Sequence, residues 1–313
     1  MRDFSYKTIT LGIILIMSAT LLGFGRMNRE DMRRHFLILS AGDLKYYEQF
    51  DNSRKKLSRA GGDALEVAIE YMGRQSPRKR RAIEWIAEDL GETAVEPLTY
   101  VLTRPDEDDA AFAAYLLGVI GSKKAAVPLM LSAQSSSHKV RSASIGALGN
   151  CGDTSAVPLL VEALNDSSDE IRRRAAHSLG KIADEKSISD LTKLLSDSSS
   201  DVRYAASYAI AGIGGDKAEE ILLERLEINS IDPIEKFHII ETLGQLQSED
   251  ALPLLFDLLD DPDHLNRGFA CQALGYYRGR YEVANSLKMG LHDASGFVRM
   301  MAEEALKSIR NEQ

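Results

Sequence analysis

Three ten-residue stretches decide the fold: VRSASIGALG at 140–149, IRRRAAHSLG at 171–180 and VRYAASYAIA at 202–211. Each opens with a β-branched residue and an arginine, runs through small apolar side chains, and closes on Gly149, Gly180 or Ala211. The interval is 31 residues, kept twice without a slip. Self-similarity at such a period marks a repeat array, in which each unit buries its apolar face only against its neighbours.

Within a unit the periodicity is helical. Val202, Ala205, Ala206, Ala209 and Ile210 fall at i, i+3, i+4, i+7 and i+8, one apolar stripe made mostly of alanine. A second stripe, Val157, Leu160, Val161 and Leu164, or Leu252, Leu255, Phe256 and Leu259, carries larger side chains that fill the space alanines leave. Gly149 or Gly180, with the Gly152-Asp153 or Ala183-Asp184 that follows, predicts the end of each first helix. Pro97, Pro128, Pro158 and Pro253 fall in the first turn of second helices, where a missing amide proton is harmless. Leu243-Gly244 and Leu274-Gly275 end later first helices on the same reading. Between residues 77 and 311 this predicts eight first helices and seven full pairs.

The lead-in is irregular. Residues 36–57 have helical spacing and end at Gly61-Gly62; Asp63 is placed to cap a further helix through Leu65, Ile69 and Met72, stopped by Gly73 and Pro77. Before it, residues 8–25 contain no charge and are rich in Ile, Leu and Met. That length lies between a signal-peptide core and a membrane-spanning helix, so an uncleaved anchor and a cleaved signal both stay open, as does the side of the membrane. The chain therefore divides into a signal or transmembrane segment at 1–25, a helical lead-in and capping segment at 26–76, and a repeat solenoid at 77–313.

Charge is distributed unevenly. The total of -9 comprises +1 in residues 1–25, +6 in residues 26–81 and -16 in the remainder. So acidic a body repels a phosphate backbone, and no nucleic-acid partner is expected. The dense basic run Arg78, Lys79, Arg80 and Arg81 reads either as a membrane-proximal contact for anionic lipid or as a solvated helix face; nucleic-acid contact there is a weaker third reading. Cys151 and Cys271, four repeats apart, cannot meet in a disulfide, and Cys151 takes the place of Ile182 and Ile213, a core position.

A second ladder accompanies the first. Asp166, Asp197, Asp261 and Asp293 each stand six residues before Arg172, Arg203, Arg267 and Arg299. A feature repeated in nearly every unit is expected to solve a structural need: the carboxylate holding turn amides, the arginine tying units together.

VRSASIGALGNCGDTSAVPLLVEALND, residues 140–166, resembles the short HEAT-like repeat of the phycobilisome-lyase type, and the resemblance covers roughly residues 77–310. It implies an all-α, right-handed α-solenoid, a HEAT-like superhelix whose second helices line a concave, macromolecule-binding surface. Two kinds of enzyme carry similar repeats. Repeat enzymes that hydroxylate a modified lysine carry His-Glu iron ligands, whereas none of His35, His138, His177, His238, His264 and His292 is followed by Glu. Bilin lyases share the repeat but lack a membrane segment. With no phosphate loop, Ser-His-Asp set or Cys-x-x-Cys, the sequence points to no catalytic residue, cofactor or metal. It reads as a non-enzymatic, membrane-tethered scaffold presenting the concave face of the array to a partner protein. The alternative is a lyase-type enzyme or chaperone acting on a protein-bound chromophore or prosthetic group. The GYYRGRY turn at 275–281 offers Tyr276, Tyr277, Arg278, Arg280 and Tyr281 as candidate partner contacts, since hot spots combine aromatic and arginine side chains.

Overall fold

The computed structural model describes residues 27–41, 46–72, 76–227 and 231–309, and among them there are helices and turns but no strand. The apolar stretch at 8–25 lies outside the described residues, among which no helix is long and apolar enough to cross a membrane. The chain forms two compact units, one up to Pro97 and one from Leu98 onward.

In the first unit, α1 (Arg29–Ala41), α2 (Tyr47–Ala60), α3 (Gly62–Ile69) and α4 (Pro77–Leu90) surround a core that includes Met32, Phe36, Leu57, Leu65, Ile83 and Ile86. Where the spacing predicted one helix over 36–57 there are two, α1 ending at Ala41 and α2 starting at Tyr47. Asp63 is not a cap: α3 starts at Gly62, and the preceding Gly61 has φ 69°, which sets the chain's direction there by its backbone alone.

Next come α5 (Val95–Leu102), α6 (Glu107–Ile120), α7 (Ala126–Ser132), α8 (His138–Cys151), α9 (Val157–Ala163), α10 (Asp169–Ile182) and α11 (Ile188–Lys193). They are followed by α12 (Ser200–Ile213), α13 (Asp216–Leu226), α14 (Pro233–Leu246), α15 (Leu252–Asp257), α16 (His264–Leu274), α17 (Tyr281–Gly290) and α18 (Gly296–Ser308). Counted from α4, the described residues contain the eight first helices and seven pairs that the spacing predicts. Each proline sits in the first turn of its second helix, and Asp153 and Asp184 hold the amides of Ser155 and Lys186 at 2.9 and 3.0 Å.

Gly149 and Gly180 do not end their helices. Those ends fall at Gly152 and Ala183, both in the left-handed region, with φ of 62° and 57°. The internal glycines serve packing instead. A Cβ on Gly149 would lie 2.6 Å from Ser178 Cα, and one on Gly118, Gly180 or Gly244 would lie 2.8 Å from the Cα of Ala147, Ala209 or Ala273. At these four glycines one first helix touches the next backbone to backbone, whereas successive second helices have few close backbone approaches.

This contact predicts opposite signs for two Gly→Ala changes. Gly149→Ala should destabilise by about 1–3 kcal/mol through overpacking despite its better helix propensity. Gly212→Ala, on exposed α12 backbone with nothing within 4 Å of its Cβ, should stabilise by about 0.5–1 kcal/mol. Urea unfolding midpoints decide the matter, and equal shifts would refute close approach at Gly149.

The Asp-Arg ladder performs the structural work expected of it. Asp166, Asp197, Asp261 and Asp293 accept the amides of Ser168, Ser199, Asp263 and Ser295 at 2.7–2.8 Å. Each arginine donates Nη1 to the carbonyl of the aspartate six residues back, at 2.7–2.9 Å. Its remaining nitrogens reach forward: Arg172 Nε and Nη2 both lie 2.8 Å from the Asp197 carboxylate, and Arg267 holds Asp293 in the same fork. Not every joint keeps the fork: Arg141 approaches Asp166 only to 4.0 Å, α14 carries Lys236 in the arginine's place, and the joint after α12 departs furthest. Between α12 and α14 the glycine position is occupied by Ala211, and Arg203 Nε donates to His238 Nε2 at 3.1 Å instead of to a carboxylate.

Candidate functional site

The five residues of the 276–281 turn do not form one surface. Tyr277 is 1% exposed, its hydroxyl donates to the Ser248 carbonyl at 2.7 Å, and burial pushes its phenol well above the usual range. Arg280 pairs with Glu249 and sits over the Tyr277 ring at 5.9 Å, closing the turn. Arg278 is exposed, and Tyr281, 77% exposed, stands at the start of α17. Tyr276 alone joins the first-helix layer, half-buried, with Gln245 Nε2 at 3.5 Å from its hydroxyl.

The basic run lies in the first turns of α4, where Ser76 caps the helix and accepts the Lys79 amide. Arg78 Nη1 donates to the Ala41 carbonyl at 3.0 Å, and the Lys79 ammonium lies over the Tyr71 ring at 5.1 Å. Arg81 pairs with Glu84 at 2.8 Å and stacks on Trp85 at 5.0 Å; Arg80 is exposed. Part of this run is therefore engaged in holding the first unit together.

A broader surface, which the sequence reading missed, lies on the first helices of the second unit. Counting from each ladder arginine, or from Lys236 in its place, the first, fifth and ninth following residues fall on one helix face. On α10 these are Arg173, His177 and Lys181; on α12, Tyr204, Tyr208 and Gly212; on α14, Phe237, the buried Glu241 and Gln245; on α16 and the turn after it, Gly268, Gln272 and Tyr276. Neighbours are linked across units: Lys181 Nζ donates to Asn150 Oδ1 at 2.6 Å, and Gln272 Nε2 to Glu241 Oε1 at 3.3 Å. An aromatic seam runs beside them, with centroids 5.0 Å apart for Tyr204 and His238, 4.3 Å for Phe237 and Phe269, and 5.8 Å for Phe269 and Phe297. Since Arg203 can only donate, His238 Nε2 accepts, and the ring proton lies on Nδ1, 3.4 Å from Glu241 Oε2.

Between α10 and α12 the face opens into a groove of about 660 Å³, lined by Arg173, His177, Lys181, Tyr204 and Tyr208, with Asp201 at the N-terminal end of α12. Partial burial lowers the His177 pKa, and the Lys181 and Arg173 charges lower it further. Elsewhere the chemistry is quiet. Burial pushes the Cys151 and Cys271 thiols up to about 11, so neither is a thiolate at neutral pH. Among the described residues no three His, Cys, Asp or Glu side chains are grouped to hold a metal ion.

The HEAT-repeat family model matches at residues 95–177, 127–211, 162–235 and 219–307. The chain belongs to the HEAT-repeat family. No curated protein matches its sequence. Among solved structures, this HEAT-repeat chain superposes on a chain of the Kap95:Nup1 complex with a TM-score of 0.57 at 12% identity, covering 89% of this chain and 44% of the other. It is also similar to YibA of E. coli, with a TM-score of 0.48 at 20% identity, covering 81% and 95%. The CpcE–CpcF complex of phycocyanin lyase from Nostoc sp. PCC7120 gives a TM-score of 0.41 at 20% identity over 69% and 94%. At these identities the likeness concerns the fold.

Proposed function

We propose that this HEAT-repeat chain is a non-enzymatic scaffold that receives a protein partner on the first-helix face of its second unit, with residues 8–25 tethering it to a membrane. One observation carries the reading: aromatic, amide and charged side chains line one face of α10, α12, α14 and α16, where α10 meets α12, and α14 meets α16, backbone to backbone. A preorganised face of this kind spends little of its binding energy on ordering. The family resemblance put the concave surface on second helices. In a curved stack the more closely spaced layer is the inner one, and the glycine contacts give that spacing to the first helices. The tether is supported by the uncharged stretch itself.

The test places a photo-cross-linking residue at Tyr208, at Gln245 and, as a second-helix control, at Lys193, which is 74% exposed at its side chain. The expected result is one adduct, the same at Tyr208 and Gln245 and absent at Lys193, and identified by mass spectrometry. Tyr208→Ala should weaken the purified pair about tenfold or more, as loss of a central tyrosine does in other interfaces. Adducts at Lys193 alone would reject the first-helix face. Removing residues 1–25 should release the protein from alkali-washed membranes, and unchanged retention would reject the tether.

A further inference from the structure

The groove between α10 and α12 says more about what it receives. Arg173, His177 and Lys181 stand four residues apart in a single line, with a rise of about 6 Å per step, so the outer two are about 12 Å apart along the helix. In an extended peptide, side chains four residues apart point the same way at a spacing of about 13 Å. The two spacings match.

The charge is uncompensated as well as regular. Arg173 has no ion pair among the described residues, and the partner of Lys181 is the neutral amide of Asn150. This cationic line lies in a part of the chain, residues 82–313, whose net charge is -16, so it stands against its background. Opposite it Tyr204 and Tyr208, 42% and 65% exposed, line the groove one helical turn apart. The Asp201 carboxylate lies towards the Arg173 end of the groove, so the Lys181 end is the stronger seat for an acidic group.

We propose that this groove binds an extended acidic segment of a protein partner. Two carboxylates four residues apart rest on Arg173 and Lys181, and an apolar side chain between them packs on Tyr204 and Tyr208. The proposal rests on the first-helix face being the partner surface, and it names the chemistry of what that face takes. His177 stands between the two cations and faces the middle of the segment; its pKa is lowered by partial burial and then by the Lys181 and Arg173 charges, which suits an uncharged residue there.

The probe is a fluorescein-labelled peptide, Ser-Glu-Ser-Leu-Ser-Glu-Ser, titrated into the full chain. It is compared with the same peptide carrying Lys for Glu, with one in which an inserted serine puts the acids on opposite faces, and with a single-stranded oligonucleotide. The acidic peptide should bind best and should weaken several-fold between about 50 and 200 mM salt. The neutral double variant Arg173→Gln with Lys181→Gln should lose about tenfold or more in affinity. Neither replaced side chain is fully buried or in an ion pair among the described residues, so its unfolding midpoint should stay close to the wild type, and Tyr208→Ala should weaken the same peptide independently. Equal binding of the lysine peptide, indifference to the double variant, or preference for the oligonucleotide would overturn the proposal. If the acidic peptide fails while Tyr208 still cross-links to the partner, the acidic occupant is wrong and the face stands. If both fail, both readings fall.

Discussion

Tyr277→Ala should lower the stability of the second unit by about 4 kcal/mol, the cost of emptying an aromatic-sized site in a packed core. The ring packs with Cys271, Leu274, Val283 and Leu287 among others, and its hydroxyl supplies the donor for the Ser248 carbonyl. Tyr277→Phe keeps the ring and should cost about 1.5 kcal/mol, chiefly because that carbonyl is left without its donor. Tyr281→Ala, four residues on, should leave stability unchanged, because that side chain is 77% exposed. Chemical denaturation of the three variants side by side checks the order. A small effect at Tyr277 together with lost partner binding would restore the turn as a recognition element.

Breaking a rung of the ladder is the second large effect. Arg172→Ala removes two bonds to the Asp197 carboxylate and one each to the Asp166 and Ser167 carbonyls. The pair is only 14% and 11% exposed, and the loss should cost about 3 kcal/mol. Arg172→Lys should recover little, since an ammonium cannot reproduce the fork. Lys139→Ala, which breaks the exposed pair with Asp108, should leave the midpoint where it is.

The same rungs set the acid limit of the fold. Burial alone would raise the Asp197 pKa, but Arg172, the Ser199 amide and Arg203 together hold it below the ordinary carboxylate range. Arg267 and the Ser295 amide bring Asp293 down to about 2. A carboxylate whose pKa falls on folding stabilises the native state fully above its unfolded value of about 4. That contribution is lost as pH drops from about 4 towards 2. Urea midpoints should therefore be steady from pH 7 to about 5 with respect to these groups, then fall steeply below pH 4.

The ladder, the helix pairs and the buried cysteines were legible because each repeats or replaces a repeated residue, and repetition is visible without knowing what touches what. The role of Gly149 was not. A glycine that ends a helix and one that admits a neighbouring backbone look alike in sequence, and the partner Ser178 lies 29 residues away in the next unit. Tyr276 and Tyr277 show the same limit, because one turns towards the first-helix face while its neighbour goes to the core under the Ser248 carbonyl. The proposed binding face escaped for the opposite reason. Its ninth position holds Asn150, Lys181, Gly212, Gln245 and Tyr276 in turn, so it varies where the scaffold repeats.

The joint at Ala211 and His238 has a mechanical meaning. A linear array parts at its weakest neighbour contact, and this junction has neither the glycine that seats one backbone on the next nor the carboxylate that locks the arginine. Residues 107–213 and 233–308 should therefore act as two stiffer segments on a more compliant coupling, which the Ser207–Thr242 hydroxyl pair crosses as a buried polar link. Tyr208 lies on one segment and Gln245 on the other, so a ligand gripping both would act as a splint, converting a bendable rod into a rigid one.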